Sequence, residues 1–211
     1  MTVRVKICGI TNTEDALAAI EAGADALGFV FCESSPRLIE MRAAANIIHA
    51  LPPFSAKVGV FINAPEEQLR AVLDECGIDT LQLQGDESPE FCGRFSCKVI
   101  KGFRVHDEQS FQRMVEYKAE AWLLDSFVPG QCGGTGQVGR WDLARRAAEI
   151  YPYVILAGGL TPVNVAEAIR QVGPYGVDVS SGVEAKPGRK DHQKVRDFIQ
   201  AAKAASANRT P

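Results

Sequence analysis

At 211 residues, with 46% hydrophobic and 23% charged positions, the chain has the make-up of a soluble globular protein able to bury a full core. Its formal net charge of -3 gives no electrostatic reason to expect a nucleic acid or an anionic lipid as partner. The longest apolar run, ALGFVF at 26–31, is far short of the roughly 20 residues a membrane helix needs, and Arg4 and Lys6 break any signal-peptide pattern; a cytoplasmic protein is expected.

In chain order, short apolar runs alternate with helical patterns. The first strand is expected at 3–7 (VRVKI), and Thr13-Glu14-Asp15 then leads into a helix that ends on Gly23. A strand at 26–30 (ALGFV), a helix across 40–50 and a strand at 57–61 (KVGVF) follow. The helix at 65–77 has proline in its first turn, then acidic residues, then a closing glycine. Next come a strand at 79–83 (DTLQL), a short helix at 87–94, a strand at 98–101 (KVIK) and a helix at 107–117. A strand at 121–124 (AWLL), a helix at 140–150 and a strand at 153–156 (YVIL) precede a helix at 161–173, with Thr161 as its N-cap. A strand at 176–179 (GVDV) and a helix at 191–204 complete the set.

Eight strand-helix units in this order imply parallel strands with helical crossovers, and eight fit an α/β fold of the closed (β/α)8 TIM-barrel type. The rival, a doubly wound open sheet, would prefer a glycine-rich fingerprint after the first strand, and CGITNTED is not GxGxxG. No linker of biased composition divides the chain, so one barrel domain is expected over 1–204, with a frayed tail at 205–211.

The barrel assigns directions. Active sites of this fold sit at the C-terminal ends of the strands, and alternate residues point inward. With Val3, Val5 and Ile7 facing the helices, Lys6 and Cys8 face inward, and Cys8 lies at the catalytic rim. A buried ammonium needs a counter-charge. The last strand closes against the first and offers Asp178, so a Lys6–Asp178 pair is expected beneath Cys8, and Lys6 is the cation expected to help ionise the thiol.

Asp125 ends the sixth strand on the same rim. A cysteine and an aspartate facing each other suit proton shuffling, one giving a proton and the other taking one. LAGGLTP (156–162) and VDVSSGVE (177–184) follow the seventh and eighth strands, where barrels often bind phosphate through backbone N–H groups. Gly158 and Gly159 would let the backbone approach an anion, with Ser180, Ser181 and Gly182 adding donors. Arg37, in CESSPR after the second strand, is placed to grip a carboxylate. PGQCGGTGQVGRW (129–141), which contains Gly133 and Gly134, reads as a lid.

The six cysteines (8, 32, 76, 92, 97, 132) show no CxxC pair and no zinc spacing. Apart from Cys8 they read as packing residues. The three histidines (49, 106, 192) are scattered, and no metal or catalytic role is expected of them.

Taken together, VKICGITN, FVF…SPR, VGVF, LQLQGDE, LLDS…GGTG, AGGL and VDVSSGVE…PGRKD resemble the phosphoribosylanthranilate isomerase family of tryptophan biosynthesis, over nearly the whole chain. The resemblance implies a (β/α)8 barrel catalysing an Amadori rearrangement of a phosphosugar-anthranilate substrate, without a cofactor. It implies that Cys8 is the general base, Asp125 the general acid and Arg37 the partner of the anthranilate carboxylate. The two phosphate loops fall where loop position had put them, and Asp178 joins the substrate-binding set. Assembly is left between monomer and homodimer. The chain departs from the family pattern at Gln84, where a histidine is usual, and at GGTGQVGRW, where GGTGKTFDW is usual. A glutamine cannot titrate, so position 84 is not expected to be the essential acid or base. The histidine-biosynthesis isomerase that carries out the same rearrangement is the nearest rival, but its strand 1 ends in aspartate rather than cysteine. A phosphate-binding barrel without chemistry is the other.

Overall fold

The computed structural model describes residues 2–105, 109–125 and 141–207. Eight parallel strands close on themselves in sequence order: β1 (Arg4–Cys8), β2 (Ala26–Val30), β3 (Ala56–Phe61), β4 (Thr80–Leu83), β5 (Lys98–Arg104), β6 (Ala121–Asp125), β7 (Val154–Ala157) and β8 (Gly176–Val179). The helices between them are α1 (Thr13–Glu21), α2 (Met41–His49), α3 (Glu66–Cys76), α4 (Pro89–Cys92), α5 (Gln109–Met114), α6 (Trp141–Ile150) and α7 (Val165–Val172), followed by α8 (His192–Ala207). β8 pairs with β1 and closes the ring, setting Lys6 opposite Asp178 and Ile7 opposite Val179.

Strand alternation divides the interior in two. Val5, Ile7, Leu27, Phe29, Leu81, Leu83, Leu124 and Leu156 face outward into one continuous core against the helices. Phe29, Phe61 and Phe198 are fully buried there, and each contributes roughly 1.5–3 kcal/mol by leaving water. Inside the ring, Val58, Ile100, Ala121, Leu123, Ile155 and Ala157 form the floor, and Cys8, Val30 and Val60 form a smaller cluster with Cys32 packed against it. That inner surface is where the site is built.

Several helix ends follow local chemistry. Asn12 caps α1, accepting from the Asp15 backbone N–H at 2.9 Å. Gly77 and Gly173 close α3 and α7 in the left-handed conformation. The expected cap at Thr161 is not formed: α7 begins at Val165 with Asn164 flanking it. The Asn164 side chain turns back instead, accepting from Thr161 N–H at 2.8 Å and donating to the Gly159 carbonyl at 3.0 Å, which makes residues 161–164 a turn. α8 continues to Ala207, three residues into the segment expected to fray, because Ala202 and Ala205 pack into the core.

The segment between β8 and α8 has structure with no counterpart in the sequence reading. Residues Glu184–Lys186 (β9) and Arg189–Lys190 (β10) form a small antiparallel hairpin between β8 and α8. Among the described cysteines all five are free thiols, Cys76 and Cys92 being buried core residues as expected; Cys132 lies outside the described residues.

Candidate active site

Cys8 ends β1, buried and pointing into the barrel. Lys6, one inward step below, donates to Asp178 Oδ1 at 2.9 Å, and both side chains are nearly inaccessible. The pair foreseen from register is therefore present. Gly28 on β2 makes room for it, since a Cβ there would lie 2.7 Å from Cys8 Sγ and 3.0 Å from Lys6 Nζ. Thiol and ammonium share the space a side chain would fill.

Electrostatics revise one expectation. Burial pushes the Cys8 thiol above its usual range; Lys6 and Lys190 pull it down and Asp178 pushes it up, and the net direction is upward. Lys6 favours the thiolate, as supposed, but does not outweigh desolvation. Burial also pulls Lys6 down, yet Asp178 and Cys8 more than offset it, so its pKa is raised and it is an ammonium at neutral pH.

Asp125 ends β6, half-buried and on the same inward face as Ala121 and Leu123. In register it stands between Arg104 of β5 and Ala157 of β7. On β4's extension, the Gln84 amide lies against Gly102, where a Cβ would come within 2.2 Å of Oε1. Gln82 Nε2 donates to that Oε1 at 3.0 Å, so position 84 presents a held, neutral amide.

After β7 the backbone turns through Gly158 and Gly159, both at positive φ (87° and 65°), a conformation that strongly favours glycine. After β8, Gly182 passes so close to this turn that a Cβ would stand 1.9 Å from the Leu160 carbonyl oxygen. Gly182 thus brings the loop after β8 directly against the β7 loop. Ser180 Oγ is buried beside Gly9 without a hydrogen-bond partner. An orphaned hydroxyl of this kind is one that a bound oxyanion would satisfy.

Arg37 arrives from the β2 loop and crosses Gly9, where a Cβ would lie 2.5 Å from its Cδ. Its Nε and Nη2 donate to the two carboxylate oxygens of Glu184, each at 2.7 Å. Lys190, on β10, donates to Glu184 Oε1 (2.9 Å), the Cys8 carbonyl (2.6 Å) and the Ser180 carbonyl (3.2 Å). The sequence reading missed Glu184 and Lys190. GRKD looks like a solvated turn, and only the PGRKD stretch within the family pattern pointed at it. Lys101 was missed too: its buried ammonium donates to the Leu83 (3.1 Å), Gly85 (2.6 Å) and Gly102 (3.1 Å) carbonyls and pairs with Glu87 at 3.2 Å, tying down the β4 loop that carries Gln84. Gly133 and Gly134, with most of the expected lid, lie outside the described residues. Among the described residues no group of three or more His, Cys, Asp or Glu could hold a metal ion, and no helix is long and apolar enough to cross a membrane.

An inward thiol over a buried ion pair, with a carboxylate and two glycine-bearing loops on the same rim, stands at the C-terminal face of a closed barrel, and this places the chain in the class of (β/α)8 barrels that carry a site at that face. Comparison makes the class specific. A family model described as N-(5'-phosphoribosyl)anthranilate (PRA) isomerase matches residues 5–201, and the chain belongs to that family of isomerases. The N-(5'-phosphoribosyl)anthranilate isomerase of Pelobacter propionicus is 53% identical over 208 residues, covering 99% of each chain. A phosphoribosyl anthranilate isomerase solved in complex with reduced 1-(o-carboxyphenylamino)-1-deoxyribulose 5-phosphate superimposes with a TM-score of 0.87 at 43% identity, over 96% of this chain and 100% of that one. Monomers of the dimeric enzyme from Thermotoga maritima superimpose equally well, with a TM-score of 0.87 at 40% identity over 96% and 100% of the two chains.

Proposed function

We propose that this chain converts N-(5-phospho-β-D-ribosyl)anthranilate into 1-(2-carboxyphenylamino)-1-deoxy-D-ribulose 5-phosphate, an Amadori rearrangement in tryptophan biosynthesis, in the cytoplasm. The observation that carries the reading is the inward Cys8 over the buried Lys6–Asp178 pair, on a rim shared with Asp125. The relative that holds a reduced form of that product supports it.

In this mechanism Asp125 donates its proton to the ring oxygen of the furanose. The C1–O bond breaks as the aniline nitrogen lone pair closes a C1=N bond, giving a protonated Schiff base. Cys8, as thiolate, removes the proton on C2, and that electron pair neutralises the iminium to give an enolamine. The enolamine tautomerises to the ketone: C1 gains one proton as the C2 hydroxyl loses one, and the thiolate and the carboxylic acid are restored. Arg37 binds the anthranilate carboxylate, and the loops at Gly158–Gly159 and Ser180–Gly182 hold the phosphate. Asp178 keeps Lys6 charged beneath the reacting carbons, where the ammonium favours the thiolate.

Loss of anthranilate-type fluorescence on adding phosphoribosylanthranilate tests the activity. The unaltered protein should turn the substrate over, and Asp125→Asn should lower kcat by about 10²–10⁴-fold, the usual worth of a general acid. No turnover by the unaltered protein would overturn the reading; near-normal kcat in the variant would remove the role given to Asp125.

Assembly as a homodimer belongs to the same reading. Phe54, just before β3, is 98% exposed, and Tyr153 and Tyr175, just before β7 and β8, are 49% and 40% exposed. All three lie on the N-terminal face of the barrel, away from the site, and exposed aromatics of this kind suit contact with a second copy. The dimeric Thermotoga maritima relative supports that occupant. Sedimentation should give a dimer for the unaltered protein and a monomer for Phe54→Glu; a monomeric unaltered protein would refute it.

A further inference from the structure

The Arg37–Glu184–Lys190 cluster has a geometry that the acid and base do not use. Glu184 holds Arg37 by one edge of the guanidinium, through Nε and Nη2, with both bonds at 2.7 Å. The other edge, formed by Nη1 and the second Nη2 hydrogen, donates to nothing among the described residues. A guanidinium has two such forks, and each matches a carboxylate. Arg37 keeps 20% of its side chain exposed against 5% for Glu184, so the gripped edge is the interior one.

The charges agree with the geometry. Lys190 and Arg37 are two cations about one carboxylate, Glu184, so the cluster carries a net charge of +1. A second carboxylate is therefore attracted to Arg37 although Glu184 stands on its far side. Lys190, whose side chain is 0% exposed, holds Glu184 and at the same time the carbonyls of Cys8 and Ser180. The guanidinium is thereby indexed to the residue bearing the thiol and to the loop after β8.

We propose that Glu184 is a positioning residue for substrate specificity, fixing Arg37 so that its Nη1–Nη2 edge faces the carboxylate of the aglycone. The inference rests on the reading of Arg37 as that carboxylate's partner and adds what selects a carboxylated aglycone over an uncharged one. Lys190 acts as the anchor: it donates to Glu184 and keeps it from swinging toward solvent.

The test compares kcat/KM for phosphoribosylanthranilate with kcat/KM for N-(5-phosphoribosyl)aniline, which lacks the carboxylate. In Glu184→Gln the ratio should fall about ten- to a hundredfold, the usual loss when the partner that orients a binding group is removed. In an Arg37→Met background the same substitution should change the ratio no further, because the two residues act as one unit. A substitution that merely loosened the fold would lower both activities in parallel and leave the ratio unchanged. An unchanged ratio in Glu184→Gln overturns the proposal, as does a second fall of equal size in Arg37→Met. A ratio that rises would mean that Glu184 competes with the substrate, and overturns it too. If Arg37→Met itself keeps the ratio, the underlying assignment of Arg37 is wrong, and the proposal fails with it. Should Glu184→Gln not fold, Glu184→Asp, which keeps the charge on a shorter arm, is measured the same way and should show a smaller fall in the ratio; no fall there is decisive against.

Discussion

Cys8→Ala should lower kcat by about 10²–10⁴-fold, the contribution of a positioned general base, while leaving substrate affinity much less affected. The larger content of this prediction is its pH dependence. In the proposed mechanism the thiol must lose its proton before it can take one from C2, and burial holds its pKa above the usual range. kcat/KM of the unaltered enzyme, which reports groups in the free protein, should therefore still be rising with pH through neutrality. Lys6→Met removes a cation that favours the thiolate, so the rise should move to higher pH. A profile flat from about pH 6 to 9, where an ordinary thiol with pKa near 8.5 would already show its slope, would count against Cys8 as base, as would near-normal turnover by the alanine variant.

Asp178→Ala should be the most destabilising single change at the site. It strands a buried ammonium at Lys6, and breaking a buried pair in this way costs about 3–5 kcal/mol. For a chain of this size that corresponds to a fall in Tm of roughly 6–20 °C. Replacing both members, as Lys6→Met with Asp178→Leu, should restore much of the loss, because neither charge is then left unpaired. The pH dependence has a definite sign. Lys6 has a raised pKa in the fold, so its contribution is complete below the unfolded lysine value of about 10.4 and is lost only as pH climbs through the folded value. Urea midpoints at neutral pH decide the matter: a single variant within about 1 kcal/mol of the unaltered protein would mean that the pair contributes little net stability.

What could be read from the sequence follows from what repeats along it. The strands declare themselves through period-two alternation, and β1 shows how far that carries. Knowing which face of VRVKIC looks inward, and that β8 must close on β1, is enough to pair Lys6 with Asp178 across the 172 positions that separate them. The same logic places Asp125 and the loops after β7 and β8. Arg37 could be named, but its partner could not, because no periodicity links it to Glu184, 147 positions away. Glu184 and Lys190 sit on strands of three and two residues, too short to show an alternation. Lys190 is hidden for a further reason: its neighbours Arg189 and Asp191 are charged, and a run of charge looks solvated unless the fold supplies acceptors. The error at Thr161 is of another kind. Thr161 and Asn164 are both good capping residues, and the competing side-chain bonds of Asn164 to Thr161 and Gly159 decided between them.

The approach of Gly182 to the Leu160 carbonyl bears on how such a barrel can diversify. Because the backbones after β7 and β8 touch where no side chain fits, an insertion or a side chain in either loop must displace the other. The two loops can therefore be exchanged between barrels only as a matched pair, and under the proposed function the phosphate end of any new substrate is inherited with them. On the same reading, change at the other end of the ligand falls to Arg37, whereas Glu184 is tied to the loop after β8 through Lys190 and the Ser180 carbonyl. The proposed function therefore predicts that variants of this scaffold accept a changed aglycone more readily than a changed phosphosugar.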